Sequence, residues 1–214
     1  PQIPAIVQLS AGGPLGPPRP ALPGGSLYFT VDIIKLLVIY FCPPAASGWP
    51  VAPMHLRTFE HRHAESILAA NHRLKKEIER TLTDLDLDFT STGFADRNRP
   101  HQLTQHAFLR HGWRTEWLVS KRTSHRQYFD LYKERVAIEI EFSNRELLYR
   151  DYIRFLLAES EGSLDVGIII VPDPGRHAAQ PQPRNGRPHL EDITDDLNSL
   201  RNTILVPIWV IALS

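Results

Sequence analysis

Cysteine is almost missing from this chain. Cys42 is the only one in 214 residues, which leaves no internal disulfide and no zinc–thiolate cluster. A reducing cytoplasm suits that composition. An excess of one charge is missing too: lysine plus arginine and aspartate plus glutamate both number 24. No overall field draws the chain to nucleic acid or to an anionic membrane, so any such contact must come from local basic surface. Long apolar runs are also absent. Residues 27–42 come nearest, but they are short for a membrane span and carry Asp32 and Lys35. No HExxH zinc motif is present. His101, His106 and His111 recur at a spacing that turns successive side chains by about 140° around a helix, so they read as solvated or capping residues.

Methionine is as scarce as cysteine, and the single one, Met54, marks a change in composition. The first 53 residues hold eleven of the 18 prolines and six of the 12 glycines, with only Arg19, Asp32 and Lys35 as charges. Residues 1–53 therefore read as a poorly ordered Pro/Gly-rich leader without a signal-peptide layout. Two origins stay open: a translated extension ahead of a native start at Met54, or a genuine proline-rich tail. Residues 54–214 suit one domain with one good core.

Within that domain, Ala64, Ile67, Leu68, Leu74, Ile78 and Leu82 follow helical spacing and predict an amphipathic helix over residues 58–84. Pro100 opens a second helix, with Leu103, Ala107 and Phe108 inward and an end near Gly112. Strands are predicted over 116–120, 127–131 and 136–142. Ser143 and Glu146 then spell a capping box for a helix reaching about Glu159. Residues 165–171 form a buried strand. Leu190, Ile193, Leu197 and Leu200 mark another helix, and residues 204–212 a last strand. The order α-α-β-β-β-α-β-α-β predicts an α/β fold with a central mixed sheet flanked by helices.

The most informative segment is HRQYFDLYKERVAIEIEF, residues 125–142. Val136, Ile138, Ile140 and Phe142 alternate with Ala137, Glu139 and Glu141, which marks a strand with one apolar face. The two glutamates share a side, with roughly 7 Å between their Cα atoms. With Tyr132-Lys133-Glu134-Arg135 as a four-residue hairpin loop, Leu131 falls opposite Val136 and Asp130 opposite Ala137. That register puts Asp130 on the face of Glu139 and Glu141, and Phe129 with Leu131 on the apolar side. Three carboxylates that converge need a cation, and oxygen ligands without cysteine suit a hard ion such as Mg²⁺. The plainer reading is an acidic edge neutralised by Lys133 and Arg135.

Mg²⁺ held by strand carboxylates suits phosphodiester hydrolysis. The hairpin Asp130…Glu139-Ile140-Glu141, set between an upstream helix and a βαβ continuation, resembles the PD-(D/E)xK nuclease core. More narrowly, Gly112-Trp113, Phe129-Asp130, the eight residues between Asp130 and Glu139, VAIEIEFSN and DVGIIIVP resemble the BglII/BamHI branch of type II restriction endonucleases, over about residues 112–172 and by extension 54–214. Phe129 stands where the general motif has proline, and Glu141 where it has lysine; both departures resemble that branch. The resemblance implies a Mg²⁺-dependent site-specific deoxyribonuclease that cuts double-stranded DNA at a short palindrome. Asp130 and Glu139 would be metal ligands, the Ile140 carbonyl would complete the coordination, and Glu141 would contact metal or orient and deprotonate the attacking water. A further acid from the first helix, Glu77 or Glu79, is compatible with the pattern. Dimerisation is likewise implied by the resemblance, as a homodimer reading a symmetric site.

Ser143, Asn144 and Arg145 follow the acidic strand and are candidates for DNA contacts. Arg176, Arg184, Asn185 and Arg187, in the loop 172–188, are candidates for the same role. Arg150 and Arg154 suit phosphates or ion pairs with Asp151 and Glu146. Two competing functions remain compatible with the sequence: a nuclease of repair or recombination, and a non-catalytic DNA-binding domain whose acids are structural.

Overall fold

The computed structural model describes residues 53–87, 89, 99–122, 126–173 and 186–214. The leader, Pro53 apart, lies outside them, as do Arg176, Arg184 and Asn185. In chain order the elements are β1 (Leu56–His61), α1 (Ala64–Ala70), α2 (His72–Thr83), α3 (Arg99–Leu109), β2 (Trp117–Leu118), β3 (Tyr128–Phe129), β4 (Leu131–Lys133), β5 (Val136–Ile140), α4 (Leu147–Ser160), β6 (Val166–Pro172), α5 (Leu190–Ser199) and β7 (Ile208–Leu213). Among the described residues no helix is long and apolar enough to cross a membrane.

Strands that are apolar on both sides need cover on both faces, and β5, β6 and β7 are buried at every position. They run parallel at the centre of a five-stranded mixed sheet ordered β1-β7-β6-β5-β4, whose two edge strands are antiparallel to their neighbours. Val136, Ile138 and Ile140 of β5 face α1, α2 and α3 through Leu68, Ile78 and Phe108. Ala137 of β5, with Ile169 and Val210, faces α4 and α5 through Leu148, Tyr152, Phe155 and Ile193. The predicted α/β class and flanking helices are what the structure shows.

Local differences from the expected elements have tertiary causes. The helix expected over 58–84 is three elements: residues 56–61 pair instead with the last strand as β1, and Asn71 breaks the remainder by capping α2 with its side chain on the Leu74 N–H. Leu103 is exposed, and Thr104 takes the inner face of α3, its hydroxyl donating to the Pro100 carbonyl. Phe129 joins the α4 side with Ala137, not the Leu131 side, because the chain bends at Asp130 and β3 pairs with β2 in a separate ribbon.

One glycine sets how closely α4 lies on the sheet. A Cβ at Gly167 in β6 would stand 2.7 Å from the Phe155 ring. Only glycine admits that approach, and Phe155 is the neighbour of Arg154 in the helix that overlooks the acidic end of β5.

Candidate active site

The acid of β5, Glu139, is placed by alternation. Ala137 packs against α4, so Glu139, two residues on, projects to the same side. The hairpin that brings Asp130 to it is tighter than expected. Leu131 pairs with Ile138, Tyr132 with Ala137 and Lys133 with Val136, leaving only Glu134-Arg135 in the turn. The expected four-residue loop is thus corrected to two residues. The slip is an even number of positions, so the paired residues of β4 keep their faces. Both turn residues have positive φ, 49° and 65°, as the two-residue turn that matches strand twist requires. Arg135 holds this unfavourable backbone by bonding Asp165 at 2.7 and 2.5 Å and the Gly162 carbonyl.

Asp130, Glu139, Ile140 and Glu141 line one pocket of about 240 Å³, with His101, Tyr128, Ser143, Arg150, Asp151 and Arg154 among its other walls. The Ile140 N–H donates to Asp130 Oδ2 at 2.8 Å, which fixes the aspartate against the end of β5. His101 Nε2 reaches the same oxygen at 3.3 Å, so His101 belongs to the pocket and is not simply a solvated or capping residue; His106 and His111 are exposed as expected. Glu141 Oε1 accepts from the Ser143 N–H and hydroxyl, both at 3.0 Å, and from the Asn144 N–H at 2.8 Å. The capping box is therefore not formed. A carboxylate is the stronger acceptor for those donors, and α4 starts at Leu147 with no side-chain cap.

The electrostatics distinguish the acids. Burial works against charge on Asp130, but the hydrogen bond and charge of His101, the Ile140 N–H and Arg154 bring it below the usual carboxylate range. Glu139 is pushed well above that range, by burial first and then by the charges of Asp151 and Asp130. Burial also raises Asp151, to about 7, with Glu141 and Asp130 adding to it and Arg154 and Arg150 opposing. One guanidinium nitrogen, Arg154 Nη1, donates to Glu139 Oε1 at 3.0 Å and Asp151 Oδ1 at 3.2 Å.

The cations nominated from the sequence are spent elsewhere. Lys133 bonds both oxygens of Glu77, at 2.7 and 2.9 Å, and Arg135 bonds Asp165. Glu77 also accepts from the Trp113 indole at 2.9 Å, and Glu79 pairs with Lys75, so neither is among the residues lining the pocket. The extra helical acid is Asp151 of α4. Its signal was present: it falls on the stripe of Leu148, Tyr152 and Phe155, where a charged side chain needs a buried partner. His101 and Tyr128 carried no such signal, since their place in the pocket depends on how α3 and β3 pack.

Of the DNA-contact candidates, Ser143 lines the pocket. Asn144 is half-buried, its side-chain oxygen accepting from the Glu146 N–H at 2.9 Å. Arg145 turns away to α5, bonding Asp192 at 3.1 Å and Asp196 at 3.4 Å. Arg187 donates to the Phe89 carbonyl at 3.3 Å.

As a metal centre the pocket offers oxygen donors of hard character, the right chemistry for Mg²⁺. Among the described residues, however, no three His, Cys, Asp or Glu side chains are already grouped to hold an ion. Arg154 engages Glu139, and Glu141 is turned to the backbone beyond β5.

The family model for restriction endonuclease BglII/BglIII matches residues 56–213. The structure is similar to that of restriction endonuclease BglII complexed with a DNA 16-mer, with a TM-score of 0.63 and 25% identity over 75% of this chain and 78% of that one. Free BglII is similar in fold, with a TM-score of 0.54 and 24% identity over 75% of this chain and 79% of that one. No relative among curated proteins matches the chain.

Proposed function

The chain belongs to the restriction endonuclease BglII/BglIII family and is a type II site-specific deoxyribonuclease acting on DNA, and we propose that it cuts duplex DNA at a short palindrome as a Mg²⁺-dependent cytoplasmic homodimer, with Asp130, Glu139 and Glu141 at the scissile phosphate. The observation that carries this reading is that Asp130, Glu139, Ile140 and Glu141 line one pocket. Asp130, Glu139 and the Ile140 carbonyl are the oxygen donors that would hold the ion. When bound, Mg²⁺ supplies charge neutralisation at the phosphate and a more acidic water.

The remaining work falls to side chains. Glu141, oriented by three donors from Ser143 and Asn144, accepts a proton from the attacking water. The same three bonds couple it to the segment proposed to read DNA. Ser143 and Asn144 serve there, and Asn144 must release the Glu146 N–H before its amide can contact adenine with both atoms. Arg145 braces the segment against α5. Arg176, Arg184, Asn185 and Arg187 are proposed to contact DNA from the 172–188 loop. Tyr149 and Ile153, exposed one turn apart on α4, are apolar surface of the kind a two-fold contact buries.

The test is to incubate the purified chain with phage DNA and Mg²⁺ and sequence the product ends. Identical ends at one short palindrome support the proposal; heterogeneous ends, or equal cleavage in chelator, refute it. Sedimentation with and without DNA checks the dimer.

A further inference from the structure

We propose that Arg154 is the resident counter-cation of the carboxylate pocket, bridging Glu139 and Asp151 until a divalent ion enters and then surrendering its bond to Glu139. The inference rests on the metal-dependent reading above and adds an exchange to it. The incoming ion replaces an internal cation; it does not join bare carboxylates.

The need for an internal cation follows from burial. Side chains of Glu139 and Asp151 are only 3% and 2% exposed, and Asp130 and Glu141 line the same cavity. Carboxylates withdrawn from water and set against each other require a positive partner. Lys133 and Arg135 are committed to Glu77 and Asp165. Arg150 is half-exposed and reaches Asp151 at 3.6 Å, not Glu139. Arg154 alone, among the described basic side chains, forms an ion pair with Glu139, and it also ties that strand acid to Asp151 of α4.

The need for release follows from the manner of binding. Both bonds leave from Nη1, so the guanidinium does not grip either carboxylate with its two-pronged fork. Arg154 Nε is buried without a hydrogen-bond partner among the described residues, so the seat satisfies the side chain incompletely. The oxygen that Arg154 occupies belongs to a residue proposed as a metal ligand, and among the described residues no group of three acids or histidines is assembled to hold an ion. A divalent ion brings twice the charge and binds carboxylate oxygen directly, so it displaces the guanidinium from Glu139. The freed N–H donor then has a natural acceptor in a DNA phosphate, while Asp151 keeps the side chain at the pocket.

The experiment measures Mg²⁺ and Ca²⁺ binding by calorimetry, without DNA, on the full chain and on Arg154→Met and Arg154→Lys. Thermal melts are recorded with and without the ions. Arg154→Met is expected to melt below wild type in chelator, to bind Mg²⁺ at least fivefold more tightly, and to recover most of the melting deficit at saturating ion. Arg154→Lys, which keeps the charge, is expected to bind Mg²⁺ within about twofold of wild type. Equal or weaker binding by Arg154→Met, or a deficit unchanged at saturation, overturns the exchange and leaves Arg154 a structural contact. Should Arg154→Met not fold, Arg154→Gln carries the same comparison with an uncharged donor. A wild-type chain that takes up neither ion defeats the metal reading itself. A wild type that binds while the neutral variants gain nothing defeats only the exchange.

Discussion

The backbone N–H of Ile140 donates to the carboxylate of Asp130 at 2.8 Å, so the aspartate from one arm of the hairpin is fastened to the end of the other. The bond places an acidic oxygen beside the peptide of Ile140, the residue that follows Glu139. It also makes Asp130 dependent on the register of β4 and β5, since a slip by one residue would aim it at the opposite face.

That arrangement predicts the effect of removing charge while keeping shape. Asp130→Asn and Glu139→Gln are each expected to reduce cleavage of DNA by about 10²-fold or more. Asn can still accept from Ile140, so the folded state and DNA binding should survive in Asp130→Asn. Rate measurements on plasmid DNA, with gel-shift binding in Ca²⁺, check both parts. Wild-type cleavage rates in either variant would remove these acids from the reaction.

Glu139 and Asp151 predict an unusual pH dependence in chelator. Both are raised in the folded state, Asp151 to about 7. A raised carboxyl holds its proton in the folded chain after the unfolded chain has released its own. Its stabilising contribution is therefore complete below the unfolded value and is lost as pH rises through the folded one. The melting temperature is expected to fall by several degrees between about pH 5 and pH 8. Asp151→Asn should flatten the slope, and so should saturating Mg²⁺. A melting temperature that rises across this interval in chelator contradicts the assignment.

Glu77 predicts the opposite sign. Burial opposes its charge, but Lys133 and the Trp113 indole hold it below the usual range. A lowered carboxyl stabilises above its unfolded value, and that contribution disappears as pH falls through the folded value. Glu77→Gln should cost about 1–3 kcal/mol at pH 7, and less at pH 4. Urea unfolding at the two pH values measures the difference; an equal cost at both would mean that shape, not charge, is what matters there.

Gly167 predicts a steric effect with a functional readout. A methyl group there meets the Phe155 ring at 2.7 Å. Gly167→Ala is expected to cost about 1–3 kcal/mol and to slow cleavage by lifting Arg154 and Asp151 from the end of β5. Pairing it with Phe155→Leu should recover part of both losses. If the double variant loses the sum of the two single effects, the contact is not the cause.

Much of the site was legible because its signals are local. The Glu139-Ile140-Glu141 alternation shows within residues 136–142, and the even slip in register spared the face of Asp130. The turn itself was not legible. Two-residue turns of this geometry normally use glycine or asparagine, and here Glu134 and Arg135 adopt it because Arg135 is held by Asp165 and Gly162. The strand character of β1, whose residues 58–61 fall within the expected helix, was not legible because it comes from pairing with β7, at the other end of the domain.

The amino-acid sequence by itself determined the acids, their spacing and the apolar periods that bury one face of each element, because side-chain alternation and helical pitch act within a few residues. Only the tertiary structure decided which cation meets Glu139, that the helical acid is Asp151 and not Glu77, and that His101 reaches Asp130. Those pairings join residues of separate elements. They depend on how closely α4 settles over Gly167 and on the angle at which α3 crosses the sheet, distances that no local period encodes.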